Sequence, residues 1–292
     1  MFIQQILNGL AIGSIYSLIG LGFSLLFGAM GILNLAYGEF YMLATYLAFF
    51  SFTKFRFPFP IMILIVVIFL FFIGCATHLG LVKPIKSRTK DWVIPALIVT
   101  LGLQIVFQES IRLIWGASFK SIPGYFLESI HIGSLMISYE RAIILVVSVF
   151  LLAGTWFFLN RTKLGSGILA VAQDRESAEL VGIDTEKINT ITFGISSALA
   201  GIAGVLLMPI LCVYPTVGQE PLLRAFAVAI LGGMGSVGGA MISGVILGIA
   251  ESLAVGYISA SIKDLMSFAV IIIVLIFYPS GVAGFMERLR AK

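Results

Sequence analysis

Very little in this sequence is arranged for proton, metal or covalent chemistry. His78 and His131 lie in separate segments, and Cys75 and Cys212 fall within apolar runs, where they read as small core residues. No nucleophile stands in a pattern with a base, no set of His, Cys, Asp and Glu has metal-ligand spacing, and GxxxxGK[ST] does not occur. On this reading the chain is not an enzyme and has neither a catalytic nor a metal site. Gly233, Gly235 and Gly238 in GGMGSVGGA satisfy GxGxxG. That fingerprint holds a dinucleotide only when a strand feeds it and an acid follows about 20 residues on. Long apolar runs flank it here, so the glycines read as a break between half-helices or a bend beside a pore. Glu39 and Glu251 stand near the ends of apolar segments, where a buried carboxylate carries functional weight.

The polar residues that do cluster lie at 161–189, RTKLGSGILAVAQDRESAELVGIDTEKIN. Charge of both signs at this density does not enter hydrocarbon, so the stretch projects into water between two membrane spans. Asp174 is placed to N-cap a short helix over 175–181, Gly182 suits the left-handed residue that ends it, and Asp184 caps the helix that follows. Ala178 and Val181 share one face at i, i+3, while Arg175, Glu176 and Glu179 stay wet. The helix reads as a peg for a protein partner, with Asp174, Arg175, Glu176, Ser177, Ala178, Glu179, Val181 and Gly182 as contact candidates. Ala178 is the small residue offered to the partner's groove. Glu186 lies beyond the helix and reads as peripheral.

These residues need elements to hold them, and composition says of what kind. Hydrophobic residues make up 60% of 292 and charged residues 11%, with a mean hydropathy of +1.10. Such values belong to an all-α polytopic membrane protein. Apolar segments at 6–27, 60–82, 92–115, 141–159, 191–213, 225–251 and 262–278, with another beginning near 34, give about eight transmembrane helices, some broken or re-entrant. They form a single permease-like domain over 1–292. Gly9 and Gly13, and the stretch GISSALAGIAG, mark faces where helix backbones approach closely. In GILNLAYGEF a polar break precedes a new helix, which Asn34 is placed to cap, with Glu39 in its first turn. Membranes keep such breaks only where they are buried or line a cavity. Asn34, Tyr37, Gly38 and Glu39, with Gly233, Gly235 and Gly238, are therefore candidates for a translocation path.

Lys83, Lys86, Arg88 and Lys90 form the strongest basic cluster and go to the cytoplasmic side, together with 161–189. The loop 116–138 and the turn YPTVGQEP then fall outside. Glu109 and Arg112 are spaced to pair. A re-entrant pair at the glycine break places the tail, with Glu287, Arg288, Arg290 and Lys292, inside. The N-terminal MFIQQILNGL has no basic region or cleavage site, so no removed signal peptide is expected. The net charge of +4 sits in loops and tails and is no nucleic-acid signature.

Three stretches carry a resemblance: GxxxxAVAxDxxxAxLxGI at 165–183, NxAxGExxM at 34–42, and LGGxGSxxGA followed by LGxxE at 231–251. Together the chain resembles the branched-chain amino-acid ABC-transporter permeases over nearly its whole length. It departs from the pattern at Tyr37, where the family often has His, and at Ser243, which replaces a glycine. The resemblance implies a type II ABC-importer-like permease in the bacterial cytoplasmic (inner) membrane, with 161–189 as its coupling loop. It implies as partners a second related permease, two cytoplasmic ATPase subunits, a periplasmic or extracellular solute-binding protein and membrane lipid, with no nucleic acid. ATP is used by the partners, and no cofactor is bound by this chain. Branched-chain or other amino acids are the implied cargo, and same-family permeases serve urea and amides. The residues alone leave open an ion-coupled secondary transporter built on Glu39 and Glu251. A channel would need a repeated pore motif or rings of charge, which one chain does not display.

Overall fold

The computed structural model describes residues 2–121, 129–132, 135–210, 212–259, 263–277 and 281–284. Among these, helices follow one another as α1 (Phe2–Met30), α2 (Tyr37–Phe55), α3 (Phe59–Thr77), a π-helical turn (His78–Val82), α4 (Lys83–Arg88) and α5 (Val93–Trp115). A hairpin of β1 (Ser129–Ile132) and β2 (Leu135–Ser138) precedes α6 (Tyr139–Arg161), α7 (Lys163–Gln173), α8 (Arg175–Leu180), α9 (Thr185–Leu207), α10 (Gln219–Gly232), α11 (Val237–Tyr257) and α12 (Lys263–Phe277). The hairpin is a short interruption of an otherwise helical architecture, as the all-α expectation has it. Its signal is legible in SIHIGSLMIS, two short apolar runs about a Gly-Ser pair.

Six helices among the described residues are long and apolar enough to cross a bilayer: Phe2–Met30, Phe59–Arg88, Val93–Trp115, Tyr139–Arg161, Thr185–Leu207 and Val237–Tyr257. The Phe59–Arg88 helix is α3, the π turn and α4 run together. The other candidates fall short for identifiable reasons. α2 carries Glu39 and several hydroxyl-bearing residues, while α10 and α12 have 14 and 15 residues. At 1.5 Å per residue, α10 extends about 21 Å, less than the ~30 Å hydrocarbon core. The polar tail from Glu287 onward lies outside the described residues.

Where the sequence reads as one domain, contacts divide the chain into two compact units, each assembled from distant segments. The first comprises 1–24, 124–156 and 223–292, and the second 25–123 and 157–222.

The first unit is built on a seam of small residues between α1 and α11. A Cβ on Gly9 would come within 2.7 Å of Ile249 Cα, one on Gly13 within 2.9 Å of Val245 Cα, and one on Gly248 within 2.3 Å of Gly13 Cα. Ser17 and Ser252 continue the seam, donating hydrogen bonds to the Met241 and Gln5 carbonyls at 2.6 and 2.8 Å. These two hydroxyls are satisfied by facing carbonyls, so the two helices meet backbone to backbone with dispersion as the main attraction.

The second unit packs α9 against α3 and α2 in the same way. Gly194 faces Phe71 and Cys75, Gly201 faces Leu70, and Gly204 lies against the Tyr41 carbonyl. Cys75 is thus a packing residue as expected, whereas Cys212 is exposed and free. Two tertiary links orient this unit's ends. Lys86 pairs with Glu186, joining the basic turn to the 161–189 stretch, and the backbones of Lys120 and Val213 bond reciprocally at 2.9 and 2.7 Å. Loops assigned to one side by charge therefore meet at one end of this unit, and loops assigned to the other side meet at its opposite end.

Candidate functional site

The 161–189 stretch folds as two consecutive helices. α7 begins at Thr162, whose side chain accepts from Gly165 N at 3.0 Å. It buries Gly165, Gly167, Ile168 and Val171. α7 has no counterpart in the sequence reading, although Ile168 and Val171 have helical spacing, because Gly165 and Gly167 lower helix propensity. α8 begins as expected. Asp174 accepts from Ser177 N at 3.1 Å and from Ser177 Oγ at 2.5 Å, and these bonds hold its carboxyl below the usual carboxylate range. The helix ends in a Schellman motif: Gly182 N donates to Glu179 O, Ile183 N donates to Ala178 O, both at 3.0 Å, and Gly182 has φ +86°. Asp184 caps α9 through Lys187 N at 3.0 Å.

The apolar face of α8 points the other way from the sequence expectation. Ala178 is buried within this chain at 3% exposure, whereas Leu180 and Val181 stand out at 88% and 76%. Ala178 is thus the residue that seats the peg. α8 packs on α7 and α9 through this face, which leaves the end of the helix as the apolar tip. Arg175 and Glu179 pair at 3.0 Å, and Thr185 Oγ1 donates to Glu179 at 2.7 Å. Thr185, and then Arg175, hold the Glu179 carboxyl below its ordinary range. Glu176 and Ser177 stay exposed. Glu186 is not peripheral: it receives Lys86 and lies 3.6 Å from Arg175.

Of the path candidates, Asn34, Tyr37, Gly38 and Glu39 lie together in the second unit, fully buried. Asn34 does not cap α2, whose cap position is Ala36; it closes a turn two residues earlier, accepting from Ala36 N at 3.0 Å. Tyr37 is hydrogen-bonded with Ser196. Gln108 Nε2 donates to Glu39 Oε1 at 2.7 Å, while Glu39 Oε2 and Asn34 Nδ2 have no hydrogen-bond partner. Gly38 is a contact position: a Cβ there would sit 2.2 Å from the Gly218 carbonyl oxygen.

Gly233 and Gly235, in the first unit, both take φ +88° and form the turn between α10 and α11. Ser24 Oγ accepts from Gly235 N at 3.1 Å, and Ser236 caps α11 through Gly239 N at 3.1 Å. Of the adjacent glycines that follow, it is Gly239, outside the GxGxxG match, that makes a tight approach. A Cβ on Gly239 would lie 1.9 Å from Gly232 O, whereas one on Gly238 meets nothing within 4 Å.

The same unit holds an ion pair the sequence did not suggest. Arg224 Nε lies 2.8 Å from Glu251 Oε1, with both side chains at most 4% exposed. Tyr16 donates to Glu251 Oε2 at 2.7 Å, and Ser267 donates to Oε1. Arg224 escaped notice because QEPLLRAF reads as the end of a loop, yet it falls inside α10. Glu109 and Arg112 pair at 3.0 Å on a half-exposed face. No group of three or more potential metal ligands occurs among the described residues.

Comparison with known proteins agrees with this architecture. A family model described as "Branched-chain amino acid transport system / permease component" matches residues 5–275. The chain is 33% identical over 297 aligned positions, 97% of its length and 96% of theirs, to the high-affinity branched-chain amino acid transport system permease proteins LivH of Escherichia coli (strain K12) and BraD of Pseudomonas aeruginosa. It is 27% identical over 96% of its length, and 92% of the relative's, to a probable LivH of Methanocaldococcus jannaschii. Among solved structures, PsaBC from Streptococcus pneumoniae in complex with Fab aligns over 99% of this chain and 95% of that one, with TM-score 0.51 and 14% identity, a likeness of fold. The chain is a multi-pass membrane protein and belongs to the branched-chain amino acid transport permease family.

Proposed function

We propose that this chain is a permease subunit of an ATP-driven importer in the bacterial cytoplasmic membrane, acting as one permease domain that translocates branched-chain amino acids delivered by an external solute-binding protein. It works with a second related permease and with two cytoplasmic ATPase subunits, which bind and hydrolyse the ATP. The observation that carries this reading is α8, a peg capped at both ends and tipped by exposed Leu180 and Val181. Apolar side chains held out in water on a rigid support suit insertion into a groove of a partner protein. Closure of the ATPase pair would then displace the peg, and the attached helices would exchange access between the two sides.

Glu39 and its buried neighbours Asn34 and Tyr37 are the proposed path residues. The α10–α11 hairpin, with its 14-residue first arm, is the proposed re-entrant element. It would raise the count toward eight segments while keeping the basic tail inside. An ion-coupled mechanism draws less support, because Glu251 is already occupied by Arg224, Tyr16 and Ser267.

Reconstitution with cognate ATPase and binding protein in proteoliposomes tests the reading. Leucine uptake should require ATP and the binding protein, and Leu180→Asp or Val181→Asp should lower ATPase association at least tenfold. Uptake driven by an ion gradient without ATP, or full association in both variants, would overturn it.

A further inference from the structure

Glu186 is where three elements meet. Its backbone belongs to the first turn of α9, its Oε1 accepts from Lys86 Nζ on α4, and Arg175 Nη2 on α8 approaches to 3.6 Å. Arg175 is steadied by Glu179, and Glu179 by Thr185, so Glu186 Oε1 sits among charge-assisted contacts while its Oε2 is buried with no hydrogen-bond partner. The Lys86 and Glu186 side chains are only 11% and 33% exposed, which removes much of the solvent screening that weakens a surface pair. Farther along the same helices the link continues. His78 Nδ1 lies 2.9 Å from Thr190 Oγ1, Cys75 Sγ donates to Thr190 O at 3.5 Å, and Gly74 packs on Ser197.

We infer that Glu186 is a positioning residue for energy coupling, a latch that ties the peg to α4 and α9 so that displacement of α8 moves the α3–α4 helix and α9 together. The inference rests on the coupling reading of α8 and adds the route by which movement leaves the peg. The peg's own caps, Asp174 and Gly182, do not involve Glu186. Docking and transmission are therefore separable: with the latch open, α8 keeps its shape, its exposed tip and its ties to α9 through Ile183, Asp184 and the Glu179–Thr185 hydrogen bond, but it loses its direct tie to α4.

The complete importer in proteoliposomes, with leucine and the solute-binding protein, provides the test. Glu186→Gln and Lys86→Met should keep ATPase association within twofold of wild type while leucine imported per ATP hydrolysed falls about fivefold, the weight of a half-buried charge pair. The exchange Lys86→Glu with Glu186→Lys should recover part of what Lys86→Glu alone loses, part only because Arg175 then faces a like charge, and a general packing defect would show no such rescue. If single variants fail to accumulate, Lys86→Gln with Glu186→Gln leaves no lone buried charge and should show the same uncoupling. A wild-type import-to-hydrolysis ratio in all these variants would overturn the inference. So would loss of ATPase association in Glu186→Gln, because the carboxylate would then belong to the docking face. Leu180→Asp is the control that separates the two readings: if it leaves association and import intact, the coupling role of α8 itself fails.

Discussion

Gly182→Val isolates backbone conformation from every other effect at the peg. A Cβ at Gly182 meets nothing within 4 Å, so no steric clash accompanies the change. What remains is φ +86°, which a β-branched residue adopts poorly. The cost of a side chain in the left-handed region is about 1–2 kcal/mol, a five- to thirtyfold shift against the closed cap. α8 has only six residues and no intrinsic stability as an isolated helix, so losing its Schellman bonds frees the tip carrying Leu180 and Val181. Binding of the ATPase to permease in nanodiscs should weaken by about that factor in Gly182→Val and less in Gly182→Ala. Gly182→Asn should stay near wild type, because Asn tolerates the left-handed region. Wild-type affinity for the Val variant, or an Asn variant as weak as Val, would refute the link between this cap and docking.

Arg224→Met leaves Glu251 buried beside two hydroxyls without its counter-charge, and should cost about 3–5 kcal/mol of stability, whereas Arg224→Met with Glu251→Leu should cost much less. Thermal unfolding in detergent orders the variants, and equal losses would show that the pair is not the relevant unit. On the α1–α11 seam, Gly248→Leu drives a side chain into the Gly13 backbone and should abolish a monodisperse product on size exclusion, while Gly238→Ala, in open space, should melt within a few degrees of wild type.

Which of these features could be read from the sequence follows from how local their causes are. Asp174, Gly182 and Asp184 were legible because a cap needs only its own four or five residues. The GxxxG pair at Gly9 and Gly13 was legible because close packing leaves a compositional trace along one helix. The direction of Ala178 was not, since it depends on α7 and α9, and the glycines of α7 weaken its own helical signal. Gly238 was preferred over Gly239 by motif matching, although a one-residue shift rotates a helical position by about 100° and only the facing Gly232 decides between them. Arg224 and Glu186 were missed for a shared reason. Each acquires its role from a partner far along the chain, Glu251 for one and Lys86 for the other, and spacing carries no record of that.

The π turn at His78–Val82 acts as a phase correction in the helix that contains it. Its signature is the Lys83 N–H reaching back five residues to His78 O. Gly74 and Lys86 both face α9, yet at about 100° per residue the steps between them would leave Lys86 some ~120° out of phase; absorbing one residue in a wide turn reduces this to ~20°. Straightening that turn to α geometry, with the same residues, would swing the lysine by about 100° away from Glu186. A purely local change of helical pitch is thus equivalent to uncoupling a distant carboxylate, and a relative with one residue fewer here could present the same two faces through an unbroken helix.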